Sequence, residues 1–544
     1  MNGFELVAAI LKREGVEWLA CFPSNPLIEA CAKVGIRPIA FRHERGAVMA
    51  ADGFSRISDR KRFGVVAVQA QAGAENALGG IAQASADNVP ILVLPGGNNL
   101  DRLGVRPNYM AERNFANLCR RAETVFTSEQ IVDVMRRAFH ALRNGPGGPV
   151  MVELTTDVCN AAVADVLVHY RAPQEIRQAP ANADVKAAAR ALVAAKRPLL
   201  WAGAGVLMAD ATAQLKELAQ LLAAPVFCTM PGKSAFDERH PLSLGAGSGA
   251  TTLPAHTWIQ STDVMLALGS SLTRTPYGQP VPAGATLIQN TDNIEEFNKD
   301  ENVDIGLCGD TALTLDALVE EVKALRGDQP QDASAVTSEI AALREQWLAE
   351  WRGLLHSDNA PMTYYRVIHE LNQNLDLENS IVTHDAGAPR DSIVPFFTAT
   401  TPHSYIGWGK TTHLGFGIPL MIGAKMAAPD KFCLNLMGDG AFGMSGTDVE
   451  TAGRASAPIT TVLLNNGGMA TYPGGFPTAR NSYGVSHMRG DYAMIAEGMG
   501  ARGLKVSQAA QMGPALKQAQ QLNADGTSVL IDVAADMGEH RSKF

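Results

Sequence analysis

The sequence lacks the features that mark several common classes of protein. It has no apolar run close to the roughly 20 residues that span a bilayer, and its seven cysteines are scattered, odd in number and without a CxxC pair. Acidic side chains outnumber basic ones, with 55 Asp and Glu against 46 Lys and Arg and a net charge of −9. We therefore expect no membrane span, no zinc site and no nucleic acid partner, and the cysteines are typical of reduced thiols in a cytoplasmic protein.

The 544 residues are enough for about three domains of ordinary size. The first 18 residues carry charges within an amphipathic pattern, which predicts a helix and not a signal peptide. Helical and extended patterns then alternate, as in parallel sheets covered by helices. Two polar segments, 171–184 and 327–340, are predicted to be linkers that separate domains at 1–170, 185–326 and 345–544.

The stretch 431–472 contains two predicted strands that each end in polar residues. The first, 432–437, breaks at a Gly-Asp-Gly sequence, where we expect the glycines to permit a tight turn around Asp439. The second, 460–464, follows a helical segment and ends at Asn-Asn-Gly-Gly. Because both strands of a βαβ unit end at the same edge of a sheet, Asp439 and Asn466 are predicted to converge, although they lie 27 positions apart.

These two side chains have the chemistry of a magnesium site. One carboxylate, one amide oxygen and a nearby backbone carbonyl form a set of hard oxygen ligands that suits Mg²⁺ bound together with phosphates. Backbone N–H groups after Gly440 would assist, since the N-terminus of a helix favours phosphate. The alternative is a turn followed by an asparagine-rich hairpin end.

Two further motifs also have an ordinary structural interpretation. Glu44, in the sequence RHERGAVMAADGFSR, lies where a predicted strand gives way to a helix. A glutamate at that position is ordinarily a surface charge that the helix dipole stabilises. Further along, Gly203-x-Gly205 follows a predicted strand and fits either a dinucleotide site or a tight turn between strand and helix. The lack of a third glycine favours the turn.

Taken together, the segments around Glu44, Asp439 and Asn466 resemble the cofactor motifs of thiamine diphosphate enzymes. The resemblance covers the whole chain, and the sequence GKSAFDERHPLSLGAG at 232–247 is similar to the central domain of the same enzymes. The domain order is that of the acetolactate synthase, pyruvate oxidase and 2-hydroxyacyl-CoA lyase group. It implies an α/β fold of three doubly wound parallel-sheet domains, namely a pyrimidine-binding, a central and a diphosphate-binding domain.

The resemblance also implies roles for individual residues. Mg²⁺ would bind Asp439, Asn466 and the carbonyl of Gly468, and Glu44 would hydrogen-bond the aminopyrimidine ring of the cofactor. Leu414 would support the bend of the cofactor, although ordinary core packing explains it equally well. The implied cofactor-binding residues are Glu44, Asn76, Thr412, Leu414, Gly438, Asp439, Gly440, Ala441, Asn466, Gly468 and Met469.

The chain departs from the family pattern where substrate is expected to lie. Ser24 and Asn25 would direct a hydroxyl and an amide at the substrate, or else cap the helix that follows. Gln71 either makes a substrate contact or solvates its loop, and His413 adds proton-transfer capacity. With Glu44, these residues are the catalytic candidates.

Four positions outside this catalytic set are predicted to face the substrate. Arg390 is a candidate for pairing with a substrate carboxylate. The glycine-rich loop after Asn466 is expected to close over the site, with Met469, Tyr472 and Arg480 able to touch substrate.

The resemblance implies a thiamine diphosphate- and Mg²⁺-dependent lyase or carboligase that acts on a 2-oxo acid, as in acetolactate synthase. The alternatives are a 2-hydroxyacyl-CoA lyase and an oxalyl-CoA-type decarboxylase. The short tail at 534–544 counts against the CoA-dependent enzymes, and the paired histidines of simple decarboxylases are missing from 102–114.

FAD and a non-catalytic role are two further alternatives. The segment 267–274 lacks the arginine pattern of flavin-binding relatives, with Arg274 as the nearest substitute, so the sequence disfavours FAD. A cofactor-binding paralogue without activity, or a regulatory subunit, is disfavoured because Glu44, Asp439 and Asn466 are all present. The family also forms each active site between subunits, which implies a homodimer or a homotetramer.

Overall fold

The computed structural model describes residues 1–163, 169–469 and 475–544. Within these ranges it contains three six-stranded sheets, and their paired strands run parallel. Neighbouring residues of a strand belong to different buried clusters: Val66 and Val68 pack on one face of the first sheet, while Val65 and Ala67 pack on the other. Both faces are therefore covered, and the predicted fold of three doubly wound α/β domains is confirmed.

The first sheet has the strand order β2-β1-β3-β4-β6-β5. Its strands are β1 (Trp18–Cys21), β2 (Arg37–Ala40), β3 (Gly64–Val68), β4 (Ile91–Gly97), β5 (Arg121–Val125) and β6 (Val150–Thr155). The helices around it are α1 (Gly3–Arg13), α2 (Leu27–Lys33), α3 (Glu44–Ile57), α4 (Ala72–Ala86), α5 (Ala111–Phe115), α6 (Ile131–Arg143) and α7 (Thr156–Asn160).

The second sheet has the order β12-β11-β10-β7-β8-β9, which is the strand order common in dinucleotide-binding domains. Its strands are β7 (Pro198–Ala202), β8 (Val226–Thr229), β9 (Ser243–Gly247), β10 (Val264–Leu268), β11 (Thr286–Thr291) and β12 (Ile305–Cys308). Its helices are α8 (Asn182–Ala194), α9 (Ala204–Met208), α10 (Thr212–Leu222), α11 (Leu253–Ser261) and α12 (Thr311–Arg326).

The third sheet has the order β14-β13-β15-β16-β18-β17. Its strands are β13 (Ser380–His384), β14 (Tyr405–Ile406), β15 (Phe432–Gly438), β16 (Thr460–Asn465), β17 (Arg502–Val506) and β18 (Val529–Ala534). Its helices are α13 (Ser334–Leu355), α14 (Tyr364–Asn374), α15 (Ala388–Phe396), α16 (Gly417–Ala427), α17 (Asp439–Ser445), α18 (Asp448–Arg454), α19 (Pro477–Tyr483), α20 (Tyr492–Gly498) and α21 (Ala509–Ala524).

The first and third domains pack directly against each other through α3 and α16. A Cβ added to Gly423 of α16 would lie 1.8 Å from the carbonyl oxygen of Ala50 in α3. A Cβ added to Gly53 of α3 would lie 2.1 Å from the carbonyl oxygen of Leu420 in α16. The two helix backbones touch at these glycines because neither position has a side chain.

Two sequence predictions of local structure differ from the structure. The second predicted linker, 327–340, is helical in its second half, because α13 begins at Ser334 and runs past the predicted domain start at 345. Only one side of α13 is buried, so its first turns have the polar composition of a linker. The Gly-Asp-Gly sequence does not form a separate turn either, since α17 begins at Asp439 directly after β15.

Two expectations about the chain as a whole can also be compared with the structure. The seven cysteines all lie within the described ranges and form no disulfide, and six of them are buried. In the same ranges, no helix combines the length and the apolar character required to cross a bilayer.

Candidate active site

The ends of β15 and β16 bring the two halves of the Gly-Asp-Gly and Asn-Asn-Gly-Gly motif together. The Asp439 side chain is buried, with 1% of its surface exposed. Its Oδ1 accepts the N–H of Gly440 at 2.8 Å, and its Oδ2 accepts the N–H of Gly467 at 3.0 Å. The second bond links residues 28 positions apart, so the two segments form one oxygen-rich site at this sheet edge.

The side-chain amide of Asn466 is held at both ends. Its Oδ1 accepts the N–H of Gly468 at 2.9 Å, and its Nδ2 donates to the hydroxyl of Tyr364 at 2.8 Å. Tyr364 was not among the predicted site residues. It lies 102 positions earlier in the chain, where no local pattern connects it with Asn466.

The ligand chemistry of this edge fits a hard divalent cation. The carboxylate of Asp439, the amide oxygen of Asn466 and the carbonyl of Gly468 are all oxygen donors of the kind that Mg²⁺ prefers. Burial raises the pKa of Asp439, while the N–H groups of Gly440 and Gly467 act in the opposite direction. In the described ranges, no group of three or more His, Cys, Asp or Glu side chains could hold a metal. This set differs from such groups because it combines one carboxylate with an amide oxygen and a backbone carbonyl.

The two glycines that flank Asp439 do not form a left-handed turn. Gly438 has φ −88°, which any residue can adopt. A Cβ added to Gly440 would lie 3.0 Å from Cβ of Met469, whose side chain is 38% exposed. The expected glycine-dependent turn around Asp439 is therefore replaced by a close approach of the loop that carries Met469 to the start of α17. Ala441 is buried in the same helix.

Asp385, at the end of β13, fastens the loop that precedes α16. Its buried carboxylate accepts three backbone N–H groups, from Ala386 at 2.8 Å, Gly415 at 3.0 Å and Gly417 at 2.9 Å. Burial raises the pKa of Asp385 to about 6, against the opposing effect of these hydrogen bonds. The loop contains Leu414, which is partly buried against the core between the first and third domains.

The segment just before Leu414 is tied to the other two domains. Lys410 Nζ donates to Ser271 Oγ of the second domain at 3.0 Å, and Thr411 Oγ1 donates to Gln83 Oε1 of the first at 2.6 Å. Thr412 has φ +52°, a conformation that is uncommon for a residue with a branched side chain.

His413 lies between the first and third domains. Its Nε2 lies 3.4 Å from Arg45 Nη1, and a Cβ added to Gly79 would lie only 2.1 Å from the same nitrogen. Burial, and then the charge of Arg45, lower the pKa of His413. The imidazole is therefore neutral at pH 7 and is able to accept a proton.

Glu44 is the first residue of α3, and its side chain is 4% exposed. Its Oε2 accepts a hydrogen bond from Nδ2 of Asn76 on α4 at 3.0 Å. The N–H of Arg42, just before α3, donates to Oδ1 of Asp448 in the third domain at 3.0 Å. Because Glu44 is buried, the alternative of an ordinary surface charge is wrong.

The other catalytic candidates of the first domain have different surroundings. Asn25 donates to the carbonyls of Val68 and Leu94 at 3.0 and 3.1 Å and accepts the N–H of Leu27 at 3.0 Å. The whole amide is therefore used in backbone contacts that fasten β3, β4 and the start of α2, whose N-cap is Pro26. Ser24, by contrast, is exposed.

Gln71 combines a strained backbone with a side chain bound in its loop. Its φ of +59° and ψ of −107° lie outside the regions that residues with a Cβ normally adopt, at a cost of about 1–3 kcal/mol. Its Nε2 donates to Oδ1 of Asn108 at 3.2 Å, and its carbonyl accepts the hydroxyl of Tyr109 at 2.9 Å. Such strain is concentrated at functional sites.

Arg390 faces the second domain and not the Asp439 edge. It is 2% exposed, its guanidinium lies 4.3 Å from the ring of Tyr277, and it pairs with Asp391 at 2.9 Å. Its Nη1 has no hydrogen-bond partner among the described residues, and the pairing with a substrate carboxylate stays a prediction. Arg480 lies on α19, and Tyr472 lies outside the described residues.

A large cavity of about 1150 Å³ lies between the second domain and its neighbours, away from Asp439. Lys410 and Ser271 are both in its wall. A Cβ added to Gly203 would lie 2.3 Å from the carbonyl oxygen of Gly269, so this glycine is explained by tight backbone packing. Arg274, the substitute for a flavin-binding arginine, is 70% exposed and pairs with Glu301.

Comparisons with known proteins match all three domains. Residues 1–118 match the thiamine pyrophosphate enzyme N-terminal TPP binding domain, residues 185–318 the central domain, and residues 385–533 the C-terminal TPP binding domain.

Full-length relatives are found among acetolactate synthases. The chain is 27% identical to the acetolactate synthase isozyme 3 large subunit of Escherichia coli, across 99% of this chain and 96% of that one. It is 27% identical to the probable acetolactate synthase large subunit of Methanococcus aeolicus, across 98% and 92%. It is 26% identical to the isozyme 2 large subunit of E. coli, across 97% and 95%.

Proposed function

The chain belongs to the thiamine pyrophosphate enzyme family, and we propose that it is a thiamine diphosphate- and Mg²⁺-dependent lyase or carboligase that acts on small 2-oxo acids, in the manner of acetolactate synthase. The observation that carries the proposal is the hydrogen bond between Gly467 N–H and Asp439 Oδ2, which joins the two halves of the metal motif. The full-length similarity to acetolactate synthase large subunits supports the substrate class.

The residues at the third sheet edge fit the cofactor and its metal. Asp439, Asn466 and the carbonyl of Gly468 would hold Mg²⁺, and the positive metal would favour the ionised form of Asp439. Backbone groups of Gly438, Gly440 and Ala441 lie beside these ligands and would contact the diphosphate. When bound, thiamine diphosphate supplies a nucleophilic carbon and an electron sink for the carbanion left when a carbon–carbon bond breaks.

The side chains around this edge would position the cofactor and handle protons. Glu44 would hold and release a proton at its carboxyl oxygens, with Oε2 fixed by Asn76. Leu414 and the carbonyl of Thr412 would position the cofactor from the loop that Asp385 fastens. His413 is neutral because its pKa is lowered by burial, and it is a base for a proton of the substrate.

We also propose that the active sites lie between subunits of a homodimer or homotetramer. Among the described residues, no hydrogen bond joins Glu44 to Asp439, Asn466 or Gly468. Apolar side chains beside both halves of the site are exposed in the single chain, with Leu78 of α4 at 44% and Met444 of α17 at 46%. A second copy would cover them, and light scattering tests for it. The unpaired cysteines support a cytoplasmic location.

A 2-hydroxyacyl-CoA lyase or a related acyl-CoA decarboxylase is the second candidate. One observation favours it, namely the cavity of about 1150 Å³, which is large enough for a nucleotide. Lys410 links this cavity to the loop that carries Thr412 and His413. The same space would admit FAD, and a flavin spectrum of the purified protein tests that possibility.

The decisive experiment is to incubate the protein with thiamine diphosphate, Mg²⁺ and a panel of 2-oxo acids and 2-hydroxyacyl-CoAs, and to identify the products by mass spectrometry. A Glu44→Gln variant serves as the control. Acetohydroxy acids that disappear in the variant would support the carboligase, whereas an aldehyde with formyl-CoA would support the second candidate. Turnover that Glu44→Gln leaves unchanged would contradict both.

A further inference from the structure

The side chain that accepts the hydrogen bond from the Asn466 amide nitrogen is the buried phenol of Tyr364. Tyr364 is the first residue of α14, and 2% of its surface is exposed. Its hydroxyl accepts the Nδ2–H of Asn466 at 2.8 Å.

This contact determines which end of the Asn466 amide is available for a ligand. An amide has a donor end and an acceptor end, and only its oxygen can bind a metal. Because Nδ2 donates to the Tyr364 hydroxyl, Oδ1 points away from that hydroxyl and accepts the N–H of Gly468. The oxygen has two lone pairs, so it can accept the Gly468 N–H and still bind a cation.

The C-terminal tail holds the phenol in place. The N–H of Met362 donates to the carbonyl of Ala534, and the N–H of Asp536 donates to the carbonyl of Met362, so the tail runs alongside the start of α14. A Cβ added to Gly538, which has φ +57°, would lie 2.7 Å from Cε2 of Tyr364. The tail backbone therefore presses directly on the Tyr364 ring.

The residue before Gly538 packs against the metal motif itself. Cε of Met537 would lie 3.0 Å from a Cβ added to Gly468. The segment 536–538 thus packs against both Tyr364 and the loop that follows Asn466.

We infer that Tyr364 is a positioning residue for the metal site: its hydroxyl orients the Asn466 amide, and the tail segment 536–538 fixes its ring. The inference rests on the proposed function in one respect, since it takes Asn466 as a ligand of Mg²⁺. It adds a residue to the site that acts through Asn466 and does not touch the metal.

The test compares two variants that each remove one buried hydroxyl from α14. Tyr364→Phe removes the hydroxyl that contacts Asn466. Tyr365→Phe is the matched control, because Tyr365 is also 2% exposed and its hydroxyl donates to the carbonyl of His540 at 2.7 Å. Metal-free protein with saturating thiamine diphosphate is titrated with Mg²⁺ by calorimetry, and the thermal midpoint of the metal-free protein is recorded.

We expect Tyr364→Phe to weaken Mg²⁺ binding by about 10-fold or more, as is typical of partners that orient a metal ligand. Tyr365→Phe should bind Mg²⁺ like the wild type, whatever its effect on the thermal midpoint. A Gly538→Ala variant, which keeps the hydroxyl but displaces the ring, should also weaken binding. Equal Mg²⁺ affinity in Tyr364→Phe and Tyr365→Phe would overturn the inference.

An Asp439→Asn variant separates this inference from the proposed function. If Asp439→Asn loses Mg²⁺ binding while Tyr364→Phe retains it unchanged, the metal site stands and the positioning role of Tyr364 is wrong. If Asp439→Asn binds Mg²⁺ as the wild type does, the metal site is wrong and the inference about Tyr364 is overturned with it.

Discussion

The first and third domains have the same strand order, yet they place different chemistry at the same edge of the sheet. Numbered within each domain, both sheets read 2-1-3-4-6-5. The equivalent helices α3 and α16 cross each other at Gly53 and Gly423. Strand order therefore determines where side chains converge, and the residues after each strand determine what they do.

After the first strand of each domain, the two sheets use a polar side chain in the same way. Asn25 follows β1 and binds the backbone of β3 at Val68 and of β4 at Leu94. Asp385 follows β13 and binds the backbone on both sides of the loop before α16. Both residues fasten neighbouring segments, although one is neutral and the other is acidic.

After the third strand, the two sheets differ completely. Gln71 follows β3 with a strained backbone and an amide side chain. Asp439 follows β15 with a buried carboxylate that is joined to the end of β16. Under the proposed function, the third domain would supply the metal site, while the first supplies the buried acid Glu44.

The largest expected effect comes from removing the carboxylate that makes the third domain different. Asp439→Asn should weaken Mg²⁺ binding by more than 10–100-fold, which is the loss typical when a residue that only orients a metal ligand is replaced. The physical reason is that a neutral amide replaces the only charged oxygen donor of the set. Calorimetric titration of metal-free protein measures the change, and affinity within threefold of the wild type would argue against the assignment.

The second prediction concerns the acid of the first domain. Glu44→Gln should lower kcat by about 10²–10⁴-fold, the range of general acid–base contributions. Mg²⁺ affinity should remain close to that of the wild type, because Glu44 has no described hydrogen bond with the Asp439 set. Steady-state kinetics together with the metal titration check the split. A Glu44→Gln variant that loses both Mg²⁺ binding and turnover would show that metal binding and proton transfer are not divided between the two domains in this way.

The third prediction tests the crossing between the two domains. Gly423→Ala should destabilise the protein by about 1–3 kcal/mol, since the new Cβ would lie 1.8 Å from the carbonyl oxygen of Ala50. The control is Gly453→Ala in α18, where no described heavy atom lies within 4 Å and alanine should be neutral or slightly stabilising. Urea unfolding of both variants measures the difference, and equal midpoints would mean that the crossing adapts without cost.

The last prediction concerns the pH dependence of stability that Asp385 causes and that its neutral counterpart Asn25 cannot cause. Burial raises the pKa of Asp385 to about 6, above its value in an unfolded chain. The folded state therefore binds more protons between about pH 4 and 6, and this group should lower stability by about 1–3 kcal/mol as pH rises through that window. Asp385→Asn should abolish this pH dependence while losing part of the loop's hydrogen bonding. Unfolding measured from pH 4 to 7 gives both slopes, and parallel profiles would contradict the assignment.

The sequence was sufficient to predict the features that depend on strand ends. Alternating buried strands and helices indicated the three parallel sheets, and a βαβ unit explains why the segments of Asp439 and Asn466 meet. The resemblance of local motifs singled out Glu44, although its burial became visible only in the structure.

The features that sequence reasoning missed depend on distant contacts. Tyr364 contacts Asn466 across 102 positions, and Asp448 contacts Arg42 across 406, so no periodicity or spacing reveals them. The surroundings of Arg390 were likewise not visible in the sequence, since the packing of α15 places its guanidinium beside the ring of Tyr277. The start of α13 was missed because an exposed helix and a linker have similar polar composition.

The most direct test of this division between domains is the exchange of the C2 proton of bound thiamine diphosphate for deuterium, followed by NMR in the presence of Mg²⁺ and without substrate. We expect the wild type to accelerate exchange far above the rate for the free cofactor, and Glu44→Gln with the cofactor bound to return the rate close to that baseline. An equal rate for wild type and free cofactor, or a Glu44→Gln variant as fast as the wild type, would contradict it.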